Sequence, residues 1–271
     1  MKDQQKRRWG ADAKLEFKSP NYKRAPVIET SIAVRFATPN KWNIHIFGLL
    51  QQQFSERFPI FETAPPMPLQ EAGKIQLTFP PAAPRVRGLY WSEQRDRLIQ
   101  LQDNLFCMNW QKAASAVRYP RYATLRKDFL HEWDAFVTLA SRAALGPFEI
   151  TGCSVTYINK VDASSDLGAS DLCAYLTRAP DSVAKSGLIL AGQTISVTLA
   201  RDSTQVTCLV QPAIQLADNT KITQMTMVAE SKGASPSGDD LMPRLDSAHE
   251  LLIEAFEALT SARAQTAWGK E

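Results

Sequence analysis

Asp246, His249 and Glu250 come closest, by type and spacing, to acid–base chemistry. His249 follows Asp246 by one helical turn and Glu250 adjoins it, so one carboxylate could orient the imidazole as in a general base. The run Tyr157-Ile158-Asn159-Lys160-Val161-Asp162 could add polar groups, with Asn159 and Asp162 at the end of an alternating segment. A plainer assignment is preferred: satisfied polar groups at a strand end and on a helix surface, with Asn159 holding a turn. A second constellation is basic and aromatic. Arg85 and Arg87 precede Tyr90-Trp91, and Arg118, Arg121 and Arg126 surround Tyr119 and Tyr122. Such interleaving can neutralise phosphates and stack bases, at roughly 1–3 kcal/mol per stacked base. Tyr122 also belongs to an apolar helical stripe, so buried rings and solvated arginines are again the preferred reading.

Other chemistries lack their residues. No GxGxxG or GxxxxGK[ST] loop is present to cradle phosphates, and no GxSxG elbow to present a serine. Cys107, Cys153, Cys173 and Cys208 form no CxxC pair, and the only histidines are His45, His131 and His249, so neither a metal site nor a cofactor is expected. Reduced, buried thiols are the expectation. An enzymatic activity has no motif to support it.

Charge is unevenly spread. Of the net +3, residues 1–24 contribute +5 through eight Lys/Arg against three Asp/Glu, leaving −2 for the remainder. Within this arm Arg7, Arg8 and Trp9 could lie on phosphate or on an acidic protein surface, although a flexible, solvated tail is the preferred reading. The 271 residues, 44% of them apolar, suit a globular protein with one large core or two moderate ones. No apolar run approaches the ~20 residues that span a bilayer, and the opening residues lack the apolar core of a signal peptide. A cytoplasmic protein without membrane contact is expected.

The elements that would position these residues follow from periodicity. Ile28, Ile32, Val34 and Phe36 alternate as a strand, and Ile46, Leu49, Leu50, Phe54 and Phe58 fall at helical spacing within Trp42–Phe58. The proline-rich run from Pro59 to Gly73 reads as an extended loop. A meander of strands is predicted over Lys74–Phe79, Arg87–Trp91, Leu98–Gln102 and Leu105–Lys112, with Asp103-Asn104 as a turn tolerating positive φ. Tyr122, Leu125, Phe129, Trp133, Phe136 and Ala140 then mark one face of a helix over Pro120–Leu145, closed by Gly146-Pro147. The plan recurs: a strand from Ile150, a helical stretch near Asp171–Leu176, and strands over Thr194–Ala200, Gln205–Leu216 (with Pro212 at a bulge or edge) and Ile222–Glu230. A Gly/Ser/Pro loop follows, then a final helix capped by Asp239 or Asp240, with Leu245, Ala248, Leu252, Phe256 and Leu259 buried.

Three landmarks suggest an internal duplication. Val27 and Ile150 open their strands 123 positions apart, pairing Ser31-Ile32 with Ser154-Val155; Phe129, Trp133 and Phe136 match Leu252, Phe256 and Leu259 at the same offset. Ile99–Asn104 recurs as Ile214–Asn219 at an offset of 115, the slippage fitting an insertion after Glu230. The expected fold is α+β: a tandem strand-helix-meander-helix unit whose antiparallel sheet carries its helices on one face, TATA-binding-protein-like or helix-grip-like in topology. Residues 1–24 would be the arm, 25–146 the first repeat and 147–271 the second, packed as one body with a broad open sheet surface or a pocket under the long helix.

The segments WNIHIFGLL, IQLQDNLFCMNW, YPRYATLRKDF, VTYINKVD and LDSAHE…F…LT…WG resemble those of a sporadically distributed, uncharacterised bacterial family of similar length. The resemblance covers nearly all of the chain after residue 24. It implies no catalytic residues, because the family has no established activity, and its patchy distribution is that of mobile or defence-associated genes. The basic extension before Lys23 looks like an addition to the family pattern. Together these features predict a non-catalytic protein that binds a protein partner or joins a complex, in a defence or toxin-neutralising system. Nucleic-acid binding through the arm and the Arg/aromatic surface, a small-ligand or hydrolytic pocket, and self-association are the alternatives.

Overall fold

The computed structural model describes residues 20–67, 85–112, 119–162, 194–215, 219–235 and 238–271. The predicted strand over Lys74–Phe79 and the helical stretch near Asp171–Leu176 lie outside these residues, as does the arm up to residue 19. The fold is α+β. Its strands are β1 (Val27–Phe36), β2 (Ile60–Ala64), β3 (Arg87–Trp91), β4 (Arg97–Gln102), β5 (Leu105–Gln111), β6 (Ile150–Asp162), β7 (Ile195–Arg201), β8 (Thr204–Gln215) and β9 (Thr220–Ser235). The helices are α1 (His45–Phe54), α2 (Arg121–Arg142), α3 (Leu241–Leu259) and α4 (Ala262–Ala267). The strands are hydrogen-bonded in the order β2-β3-β4-β5-β1-β6-β9-β8-β7.

The chain divides into two compact units, Ser31–Gly152 with Ala234–Ser237, and Met1–Thr30 with Cys153–Gly233 and Gly238–Glu271. The division falls inside β1 and β6.

In the unit of Ser31–Gly152, α2 buries all six residues of its predicted stripe. They meet a sheet face carrying Val34, Phe36, Phe106 and Met108. The Phe106 and Phe136 rings stack with centroids 5.3 Å apart, and Phe148 stacks on Phe136 at 5.0 Å. Burying each such ring contributes roughly 1.5–3 kcal/mol.

Two expectations are corrected here. Ile60–Ala64, read as loop, is a strand paired antiparallel with β3. Pro59 and Pro65 flank it, so neither removes a donor from within the ladder. The second correction concerns the sheet surface. Leu98–Gln102 and Leu105–Trp110 are buried on both faces, so no broad open surface exists over β4 and β5. The second face mixes a buried apolar cluster of Ala33, Leu105 and Cys107 with amides bonded to one another: Gln100 Nε2 donates to Asn109 Oδ1 at 2.7 Å, and Gln102 Nε2 donates to Asn104 Oδ1 at 2.8 Å. The chain leaving β2 also reaches this face, where the Met67 N–H donates to Gln102 Oε1 at 2.8 Å.

In the other unit, α3 packs on β8 and buries Leu245, Ala248, Leu252, Phe256 and Leu259, as its spacing predicts. Asp240 stands at its N-cap without a side-chain capping bond. β8 alternates buried and half-buried residues from Thr204 to Gln211. Its pairing with β7 ends at Val210, so Pro212 lies where only β9 is paired with it among the described residues. The expected loop after Glu230 is instead a continuation of β9 to Ser235.

The described end of the arm pairs with the C-terminal residues. Lys23 N–H donates to Gly269 O at 3.1 Å and Arg24 N–H to Trp268 O at 3.0 Å, tying residues 21–24 to the C-terminus. Gly269 has φ +71°, and a Cβ there would lie 3.2 Å from the Lys23 side chain, so glycine suits both the backbone and the contact.

Candidate functional site

The polar cluster is brought together only in part. Tyr157 and Asn159 occupy alternate positions of β6 and are both buried; Asn159 Nδ2 donates to Met225 O at 3.4 Å. Asn159 thus braces the β6–β9 pair and does not hold a turn. His249 lies edge-on to Tyr157, ring centroids 6.0 Å apart, and burial pushes its pKa down to about 3, leaving the imidazole neutral near pH 7. Asp246 is buried one turn earlier on α3, whereas Glu250 is exposed. Asp162 ends β6, and its side chain lies outside the description.

The basic and aromatic group is dispersed among structural contacts. Arg85 pairs with Asp103 at 2.9 Å, Arg87 is half-buried in β3, and Tyr122 is core. Trp91 Nε1 donates to Glu62 at 3.1 Å, and the Arg95 guanidinium sits 5.4 Å from the Trp91 ring centroid. Arg121 is exposed and Arg126 half-buried on α2. Arg7, Arg8, Trp9 and Arg118 lie outside the described residues.

Among the described residues, no group of three or more His, Cys, Asp and Glu could hold a metal ion. Cys107, Cys153 and Cys208 are buried and in no disulfide, and burial pushes Cys153 up to about 12, far from a reactive thiolate. No helix is long and apolar enough to cross a membrane among these residues.

The feature that sequence reasoning missed lies in the stretch from Trp42 to Met67. Asn43 Oδ1 accepts the His45 N–H at 3.0 Å and starts α1. The helix buries Ile46, Phe47, Leu50 and Phe54; the predicted stripe had Leu49 in place of Phe47. The burial of Phe47 turns a face holding Ile44, His45, Gly48, Leu49, Gln52 and Gln53 to solvent. Ile44 is 64% exposed and Leu49 42%, and from the same stretch Phe61 in β2 and Met67 are each 38% exposed. Among the described residues, three of the six large exposed hydrophobic side chains, Ile44, Leu49 and Phe61, belong to α1, its N-cap and β2, which pack together through the Phe47 and Phe61 rings. The available signal was the pair of large apolar residues, Ile44 and Leu49, flanking a mid-helix glycine.

The tie between α1 and α2 fixes this surface to the core. Arg57, just after α1, forms an ion pair with Glu132 of α2, a carboxylate only 3% exposed. The Tyr90 hydroxyl donates to Phe47 O at 3.0 Å, holding α1 to β3. A Cβ on Gly88 would lie 2.8 Å from the Phe47 ring, so the absence of a side chain in β3 lets that ring seat. No protein-family model, curated protein or solved structure matches the chain.

Proposed function

We propose that this chain is a non-catalytic interaction protein that binds a protein partner through the face formed by α1 and β2. The observation that carries this reading is the exposure of Ile44, Leu49 and Phe61 on α1 and β2, which pack together, in a unit whose core is otherwise well buried. β2 stands at the end of the strand order, which supports the same assignment. Buried cysteines in no disulfide support a reducing cytoplasmic location. The resemblance to a patchily distributed bacterial family supports a role in defence or toxin neutralisation.

The scaffold is read as a duplicated unit of TATA-binding-protein-like or helix-grip-like type. Counted outward from the opening strand, one unit runs β1-β5-β4-β3-β2 and the other β6-β9-β8-β7, so the last meander strand adjoins the first in both. The Ile99–Asn104 recurrence falls at the β4–β5 and β8–β9 hairpins, and the greater length of β9, 16 residues against seven in β5, supports an insertion on that side of the second hairpin. The interaction reading is tested by replacing Ile44 and Leu49 with aspartate. The variant keeps the wild-type melting temperature and loses the proteins, untagged copies of itself included, that co-purify with the tagged chain from its native host. Unchanged co-purification contradicts the reading.

A further inference from the structure

Gly48 has no intramolecular explanation. It is the fourth of the ten residues of α1, within the helix, where glycine lowers stability relative to alanine, and it is not among the residues of positive φ. A Cβ at this position would meet nothing within 4 Å. Nothing inside the chain therefore requires the absence of a side chain, whereas a backbone approaching from outside would. The glycine lies between Ile44 and Leu49, the two most exposed large apolar residues of the stretch.

The charges around this face are arranged for a copy of itself. His45 is the only titratable residue at its exposed helical positions, so two such faces meet without like-charge repulsion. Lys41 is exposed seven residues before Gly48, and Glu56 is exposed eight residues after it. A twofold axis through Gly48 runs two helices antiparallel and brings the Lys41 end of one against the Glu56 end of the other, twice over. The same operation lays Ile44 of each copy across the open groove between Gly48 and Gln52 of the other. An antiparallel pair also sets opposite helix dipole ends side by side.

From this juxtaposition of Ile44, Gly48, Leu49, Lys41 and Glu56 we infer that the chain forms a twofold homodimer through antiparallel α1 helices crossing at Gly48. The inference rests on the reading of this face as an interaction surface and names its occupant as a second copy. The contact is small, since a ten-residue helix spans about 15 Å, and the dimer is accordingly concentration-dependent.

Sedimentation velocity on the full chain across a concentration series tests it. The expected result is a reversible monomer–dimer equilibrium. Gly48→Arg abolishes it, and Lys41→Glu weakens it at least about tenfold by setting two like-charged pairs across the axis. Combining Lys41→Glu with Glu56→Lys restores association, a rescue that a merely misfolded variant could not give. Gly48→Cys cross-links into a dimer under mild oxidation, while Ser247→Cys on the exposed side of α3 does not. A chain that stays monomeric throughout overturns the inference. If Ile44→Asp with Leu49→Asp nonetheless loses a co-purifying protein, the interaction surface stands and only its occupant is wrong. If the aspartate variant loses nothing, both fail. A dimer indifferent to Gly48→Arg and to the charge swap also overturns the inference.

Discussion

The imidazole of His249 stands edge-on to the Tyr157 ring, 6.0 Å between centroids, and is 1% exposed. Burial lowers its pKa from 6.5 to about 3 in the folded protein, while the unfolded chain titrates near the ordinary value. A depressed folded pKa means that the stability from this group is complete above about 6.5. It is lost as pH falls through the window toward 3, at up to ~1.4 kcal/mol per pH unit. Urea unfolding at a series of pH values should show this acid limb, and His249→Leu should flatten it. An identical limb in the variant contradicts the assignment.

The buried Glu132 carboxylate makes a second, opposite contribution. Burial raises its pKa, and Arg57 partly offsets the rise. A raised carboxyl pKa means that the cost is absent below the unfolded value and grows as pH rises through the folded one. Arg57→Ala removes the counter-charge and should destabilise the fold by about 2 kcal/mol near neutral pH. The loss should shrink on acidification, as the carboxyl takes up a proton. Chemical denaturation at neutral and mildly acidic pH measures both, and an equal loss at the two values counts against the pairing.

Gln102 and Met67 exchange two hydrogen bonds, Met67 N–H to Oε1 at 2.8 Å and Nε2 to Met67 O at 3.3 Å, so the side-chain amide acts as a substitute peptide group. Gln102→Ala should cost about 1–3 kcal/mol and speed amide exchange at Met67. Gln100→Ala breaks a different bond, to Asn109, and should leave Met67 exchange unchanged. Equal exchange at Met67 in wild type and Gln102→Ala would falsify the tie.

The long helices were legible in the sequence because their stripes are single and uninterrupted. All six predicted α2 residues and all five of α3 are buried. The hairpin of β4 and β5 was legible as strands and misleading as a surface. Gln100, Gln102 and Asn109 alternate with apolar residues as a solvent-facing edge would, but they are buried and bond to one another or to Met67. Alternation alone cannot distinguish water from an internal polar partner. The turn at Asp103-Asn104 is made without positive φ; among the described strand-to-strand turns, Arg95, Asp202 and Asn219 take it instead. In α1 both Phe47 and Leu49 fit helical spacing, and only packing against Phe61 and Gly88 selects Phe47. The candidate surface followed from that selection, and its one trace in the sequence was the pair Ile44 and Leu49 around Gly48. Tyr157 and His249, far apart in sequence, were grouped as one polar cluster by residue type, and the fold does bring these two together, in a core and not in a solvent-facing site.

The most direct measurement of the central claim is a comparison of tagged wild type and the Ile44→Asp, Leu49→Asp variant recovered from the native host at matched expression and matched melting temperature. Mass spectrometry then identifies every co-purifying chain, including untagged copies of the protein itself. The account predicts at least one chain enriched by wild type and depleted about tenfold or more with the variant. The same set of chains at the same abundance in both samples would contradict it.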